Sequence, residues 1–149
     1  MASDEGICIV TDSIADIPQD VVDELGIKVV RLSFTIADST FVDGDITLAE
    51  FFERIKASGQ LPTTSQPSVG MFVEAFEEAL TRCREVVCIT VSNRLSGTIE
   101  SAREAARQLG DRVHVFDSLN LSWGEGFQVV AAAKAARAGE SLAGVRQAF

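Results

Sequence analysis

The 149-residue chain is poor in the residues that bind metals: it has one histidine, His114, and three cysteines with no CxxC spacing. A structural zinc site would need a fourth good ligand from a chain with few to offer. Cys8 and Cys88 each lie in an apolar, β-like run and read as small buried hydrophobes, whereas Cys83 stands between Arg82 and Arg84. Long hydrophobic runs are also missing, none approaching the roughly eighteen residues that span a bilayer. The MASDEG start lacks the basic residues and apolar stretch of a leader peptide. A cytosolic protein is expected. Positive charge is scarce, thirteen Lys and Arg against twenty-two Asp and Glu, for a formal net charge of −9. Such a surface repels phosphate backbones and anionic membranes, so neither a nucleic-acid partner nor stable membrane insertion is expected. No GxxxxGK[ST] occurs and the glycines after the first strand-like run do not form GxGxxG, which disfavours nucleotides. No GxSxG elbow is present either.

What remains is 46% hydrophobic and 23% charged residues, enough for a packed core in one domain. Four apolar runs rich in β-branched residues read as strands: Ile7–Val10, Lys28–Phe34 with a continuation through Thr35–Ile36, Val86–Val91, and Val113–Phe116. Helical spacing fills the intervals. Pro18 to Leu25 has proline in its first turn and Gly26 as its stop. Thr47 to Ala57 opens on a capping box, Thr47 with Glu50. Ser68 to Cys83 places Phe72, Phe76 and Leu80 four residues apart, Thr98 to Leu109 ends at Gly110, and alanine-rich Gly124 to Ala138 can lie close to a neighbour. A hairpin tip is read at Asp38–Thr40 with Phe41–Val42 returning, and a further helix starts near Glu140–Ser141. This alternation predicts an α/β fold with a mainly parallel sheet and helices on both faces, in one domain over 1–149.

In such a sheet ligands bind at the carboxyl ends of the strands. Three of the four expected strands end there in small polar residues: Thr11-Asp12-Ser13, Ser92-Asn93 and Asp117-Ser118. Each is also a common helix cap or turn former; together they suggest a polar rim. Leu95-Ser96-Gly97-Thr98 puts a hydroxyl and backbone N–H groups at a helix start, which favours an anion, and Gly97 permits close approach. Pro62-Thr63-Thr64-Ser65-Gln66-Pro67-Ser68 reads equally as an ordered ligand clamp or a plain linker. With neutral donors and Arg94 the one nearby cation, the set suits a single carboxylate or phosphate better than a triphosphate. Ser96 as a nucleophile would need His114 as its base, but His114 sits roughly 10 Å below the strand edge at about 3.3 Å per residue. Among Asp12, Asp43, Asp45 and Asp117, the pair Asp12 and Asp117 shares the rim and could hold magnesium; such aspartates more often cap turns.

These motifs, in this order, resemble the DegV family of bacterial fatty-acid-binding proteins. The resemblance rests on Thr11-Asp12-Ser13, Ala15-Asp16-Ile17-Pro18, Gly26-Ile27, Val29-Val30, Asp43-Gly44, Thr64-Ser65-Gln66-Pro67-Ser68, Leu95-Ser96-Gly97-Thr98 and Asp117-Ser118, which cover almost the whole chain. TSQPS followed by LSGT is its most specific part. It implies a long-chain fatty acid whose carboxylate is bonded by Thr64 and Ser96, with Ser13, Ser65, Ser92, Gly97 and Ser118 around the rim. It further implies no catalysis, metal or cofactor of its own. The acid would instead be presented to a partner fatty acid kinase, which makes an acyl phosphate for phospholipid metabolism. The chain departs from the family in three ways. Family members are about twice as long, and a second α/β domain that closes over the lipid is not in these 149 residues. The basic residues that domain brings to the head group are likewise missing. There is no tyrosine, with Phe41, Phe52 and Ile99 where relatives often carry one. Two further readings compete: a small metal-dependent phosphotransferase or hydrolase using Asp12 and Asp117, and a lobe that associates with itself or a partner through an uncovered lipid face.

Overall fold

The computed structural model describes residues 6–149; MASDE, most of the start examined for a leader, lies outside them. Strand β1 (Ile7–Asp12) runs into a 3-10 turn (Ser13–Ala15), then α1 (Gln19–Leu25) and β2 (Lys28–Val30). A hairpin of β3 (Ser33–Ile36) and β4 (Ser39–Val42) follows, then α2 (Leu48–Ser58), β5 (Thr63–Ser65) and α3 (Val69–Leu80). The remainder is β6 (Glu85–Thr90), α4 (Thr98–Leu109), β7 (Val113–Asp117), α5 (Trp123–Arg137) and α6 (Leu142–Gln147). The main sheet has the order β2-β1-β6-β7, with every neighbouring pair parallel.

Alternation along the strands decides which helix covers which face. Val10, Val86 and Cys88 pack with Phe72, Phe76 and Ala79 of α3 and with Ala102 and Ala105 of α4. Their chain neighbours Ile9, Val87 and Ile89 point the other way, against Val22 of α1, Val129, Ala132 and Ala133 of α5, and Val145 of α6. The fold is the expected α/β sandwich. A glycine in α5 allows close packing: a Cβ at Gly126 would stand 2.5 Å from the Ala15 carbonyl oxygen. Capping follows the residues too. Thr47 Oγ1 accepts from Glu50 N at 3.2 Å while Glu50 Oε2 accepts from Thr47 N at 3.1 Å, closing the capping box.

Three expectations need correction. The run from Lys28 to Ile36 is two strands in two sheets, because the chain turns away at Arg31–Leu32. There Leu32 N donates to Ser13 Oγ at 3.0 Å and Leu32 O accepts from Asp43 N at 2.9 Å, contacts outside any sheet ladder. The hydroxyl-rich segment before α3 contains β5, which pairs antiparallel with β3 (Ser33 with Ser65, Phe34 with Thr64) in a second sheet, β4-β3-β5. All three β5 residues are exposed, so hydrophobic patterning gave no sign of a strand. Finally, α3 ends at Leu80 rather than Cys83, and Cys83 is disulfide-bonded to Cys8; only Cys88 is a buried free thiol. Cys8 is therefore a covalent partner and not a free core hydrophobe.

Candidate functional site

The ends of β1, β6 and β7 are laced together by the polar residues the sequence placed there. Asp12 Oδ1 accepts from Ile14 N at 2.9 Å and its Oδ2 accepts from Val91 N at 2.8 Å. Asp117 accepts from Asn93 N at 3.3 Å and from Leu119 N at 2.8 Å. Both aspartates serve the turns, with their oxygens given to backbone donors. Among the described residues no group of three or more His, Cys, Asp or Glu could hold a metal ion. Ser92 and Ser118 are buried: Ser92 Oγ accepts from Arg94 N, and Ser118 Oγ accepts from Asn120 N and donates to Asn120 O. Ser13 is half-buried and accepts from Leu32 N.

One feature at this edge escaped sequence reading. Glu125, in the first turn of α5, is fully buried, and its Oε1 accepts from Thr11 Oγ1 at 3.2 Å. Burial, with the neighbouring Asp12 charge, lifts its carboxyl from 4.5 to about 9, so it stays protonated at neutral pH, while its buried Oε2 has no hydrogen-bond partner among the described residues. Burial also raises Asp12, against the pull of the Val91 and Ile14 N–H groups. The chain pattern carried no signal for this pair, because Thr11 and Glu125 are 114 residues apart. His114 is far from this edge in register: its Nε2 lies 2.8 Å from Glu85 Oε2, at the amino end of β6.

The two hydroxyl motifs are joined by Gln66. Its Nε2 donates to Ser101 Oγ at 3.0 Å, and its Oε1 occupies the space a Cβ at Gly97 would take, 2.2 Å away. The absence of a side chain at Gly97 thus leaves room for Gln66 of the TSQPS segment at the start of α4. On the α4 side, Thr98 N donates to Ser96 Oγ at 3.2 Å, and the Ser96 and Thr98 hydroxyls are 2.9 Å apart. On the other side, exposed Thr64 lines a cavity of about 320 Å³ together with Ile14, Leu32, Phe34, Ile46 and Phe51. The aromatic wall is continuous: Phe34 meets Phe41 at 5.5 Å and Phe51 edge-on at 5.2 Å. Leu48, Phe52 and Leu61 stand exposed, at 70%, 51% and 86%. A neighbouring cavity of about 510 Å³ shares Asp43 and Gly44 and has a mixed lining, charged at Asp12, Asp16, Lys28 and Arg31 and apolar at Ile17 and Val22. No helix among the described residues is long and apolar enough to cross a membrane.

Comparison with known proteins follows from this geometry. Residues 6–149 match the family model described as "Uncharacterised protein, DegV family". The DegV domain-containing protein YejH of Lactococcus lactis is 41% identical over 135 residues, 91% of this chain and 49% of that protein. Among solved structures, a fatty-acid-binding DegV family protein from Thermus thermophilus superposes with a TM-score of 0.90 at 37% identity, over 95% of this chain and 51% of that one. DegV from Bacillus subtilis, also a fatty-acid-binding protein, gives 0.86 at 30% identity, over 97% and 52%. The chain thus spans about half the length of the relatives it matches.

Proposed function

The chain belongs to the DegV family, and we propose that it binds a long-chain fatty acid, alone or as one lobe of a longer unit. The acyl chain occupies the cavity walled by Phe34 and Phe51, and the carboxylate reaches the hydroxyls of Thr64 and Ser96. The observation that carries this reading is the Gln66 link, which fixes the segment bearing Thr64 against the turn bearing Ser96 beside an apolar cavity. Thr98 N donates to Ser96 Oγ and the Thr98 hydroxyl lies 2.9 Å from it, so with Thr98 Oγ1 as the donor of that pair the Ser96 proton is left for an acceptor. The start of α4 adds backbone N–H groups favourable to an anion.

Magnitudes agree. A buried methylene contributes about 0.8 kcal/mol, so about fourteen give roughly 11 kcal/mol gross. Micromolar binding needs about 8 kcal/mol, which leaves room for ordering costs, so the head group has only to be satisfied. The net charge of −9 opposes an anion, but screening confines that to about 8 Å. The chain does no chemistry itself in this reading. It presents the carboxylate to a cytoplasmic fatty acid kinase that feeds phospholipid synthesis. The metal-dependent alternative finds no support where the oxygens of Asp12 and Asp117 serve backbone donors. The exposed Leu48, Phe52 and Leu61 do favour self-association when nothing covers them.

The test is extraction of lipid from the purified protein, read by mass spectrometry. Long-chain fatty acid should appear, and Thr64→Ala with Ser96→Ala should remove most of it. Unchanged lipid in the double variant rejects the assignment of the carboxylate to these hydroxyls.

A further inference from the structure

The end of the sheet opposite the site carries the Cys8–Cys83 bond, joining the start of β1 to the turn between α3 and β6 across 75 residues of sequence. The geometry points to a reversible dithiol–disulfide couple that acts as a redox-set staple on the fold. Both residues are half-buried rather than sealed in the core. Cys83 stands in a turn whose flanking Arg82 and Arg84 are exposed, so a solvent-borne reagent can reach it. The third thiol, Cys88, is completely buried in β6 and cannot compete.

The sulfurs stay close when the bond opens because the backbone around them is held independently. Arg84 N and Glu85 N both donate to Gly6 O, at 3.1 and 3.3 Å, and Arg112 donates to the carbonyls of Cys83 and Arg84. Phe72 and Phe76 anchor α3 with no exposed surface. Opening therefore changes stability and leaves the shape intact. Closure proceeds by exchange with a small-molecule disulfide. The Cys83 thiolate attacks one of its sulfurs, forming a mixed disulfide and expelling one small thiolate. The Cys8 thiolate then attacks Cys83 Sγ and expels the second. Two protein thiols are oxidised, the small disulfide is reduced to two thiols, and the protein's protons end on them. Cross-linking so long a segment raises the folded-to-unfolded ratio by about a thousandfold, or roughly 4 kcal/mol.

Thermal melts of the whole chain in oxidised glutathione and in dithiothreitol test this. The midpoint should be higher by roughly 10 °C under oxidation. Cys83→Ser should melt alike in both, at the wild-type reduced value. Peptide mapping should link Cys8 to Cys83, with Cys88 alkylated only after unfolding. Equal wild-type midpoints, a Cys83→Ser variant that keeps the difference, or a lasting glutathione adduct on Cys83 without the link to Cys8 would each overturn the proposal.

Discussion

Replacing Glu125 by glutamine should make this protein more stable, and by more as the pH rises. The wild-type carboxyl is fully buried and titrates at about 9, against 4.5 for an ordinary glutamate. Below about pH 4.5 both folded and unfolded chains carry the proton, and the side chain imposes no penalty. Between the two values the unfolded chain releases it while the folded chain cannot, so folding loses about 1.4 kcal/mol per pH unit. The loss reaches about 3 kcal/mol at pH 7 and levels off above about pH 9. Glutamine reproduces the neutral acid: its carbonyl can accept from Thr11 Oγ1, and it carries no charge beside Asp12. Because glutamine does not titrate, that slope disappears. Urea unfolding of both proteins near pH 5, 7 and 8.5 measures the effect. The variant should gain about 0.8 kcal/mol near pH 5, about 3 at pH 7 and more at 8.5, with the urea slope unchanged. A wild-type stability that is flat across this range, or a glutamine variant weaker than wild type at pH 8.5, would refute the assignment of a protonated Glu125.

Two further substitutions probe close backbone approaches. Gly97→Ala puts a Cβ 2.2 Å from Gln66 Oε1; since that is the end of a flexible side chain, the cost should be about 1 kcal/mol from the lost Gln66–Ser101 bond, with a disproportionate fall in retained lipid by mass spectrometry. Adding Gln66→Ala should cost little further stability, since that bond is already lost, and should not restore the lipid. Gly126→Ala meets the Ala15 carbonyl at 2.5 Å, a backbone atom that cannot swing aside, so thermal or urea unfolding should show a loss of about 3 kcal/mol or more.

The legible parts of the fold were those governed by neighbours in the chain. The run Val86–Thr90 announces a doubly covered strand because nearly all of its side chains are apolar or β-branched. Thr47 and Glu50 announce a helix start because each satisfies the other's backbone N–H three residues away. Local composition likewise singled out the Thr64–Ser68 and Leu95–Thr98 segments, while the choice of Thr64 and Ser96 within them rests on the family resemblance. The loops decide how each hydroxyl is engaged: Ser118 Oγ both accepts from Asn120 N and donates to Asn120 O, whereas Ser92 Oγ and Ser96 Oγ each accept a backbone N–H from two residues on.

The illegible parts depend on partners distant in sequence. Thr63–Ser65 becomes a strand only because β3 offers it an edge, and a Thr-Thr-Ser triplet has no apolar alternation to declare this. Cys8 and Cys83 bond because the sheet and α3 bring together residues 75 apart in sequence. The charge state of Glu125 is decided by burial against Asp12, 113 residues upstream in chain order. Amino-acid order alone determined the α/β class, the capped helix starts at Thr47 and Ser68 and the family motifs, since propensity, capping and periodicity act within a few residues. Tertiary structure decided the second sheet, the Gln66 link between the two hydroxyl motifs, the disulfide and the buried proton. Each of these needs a specific long-range contact, and contact is a property of packing that local pattern does not encode.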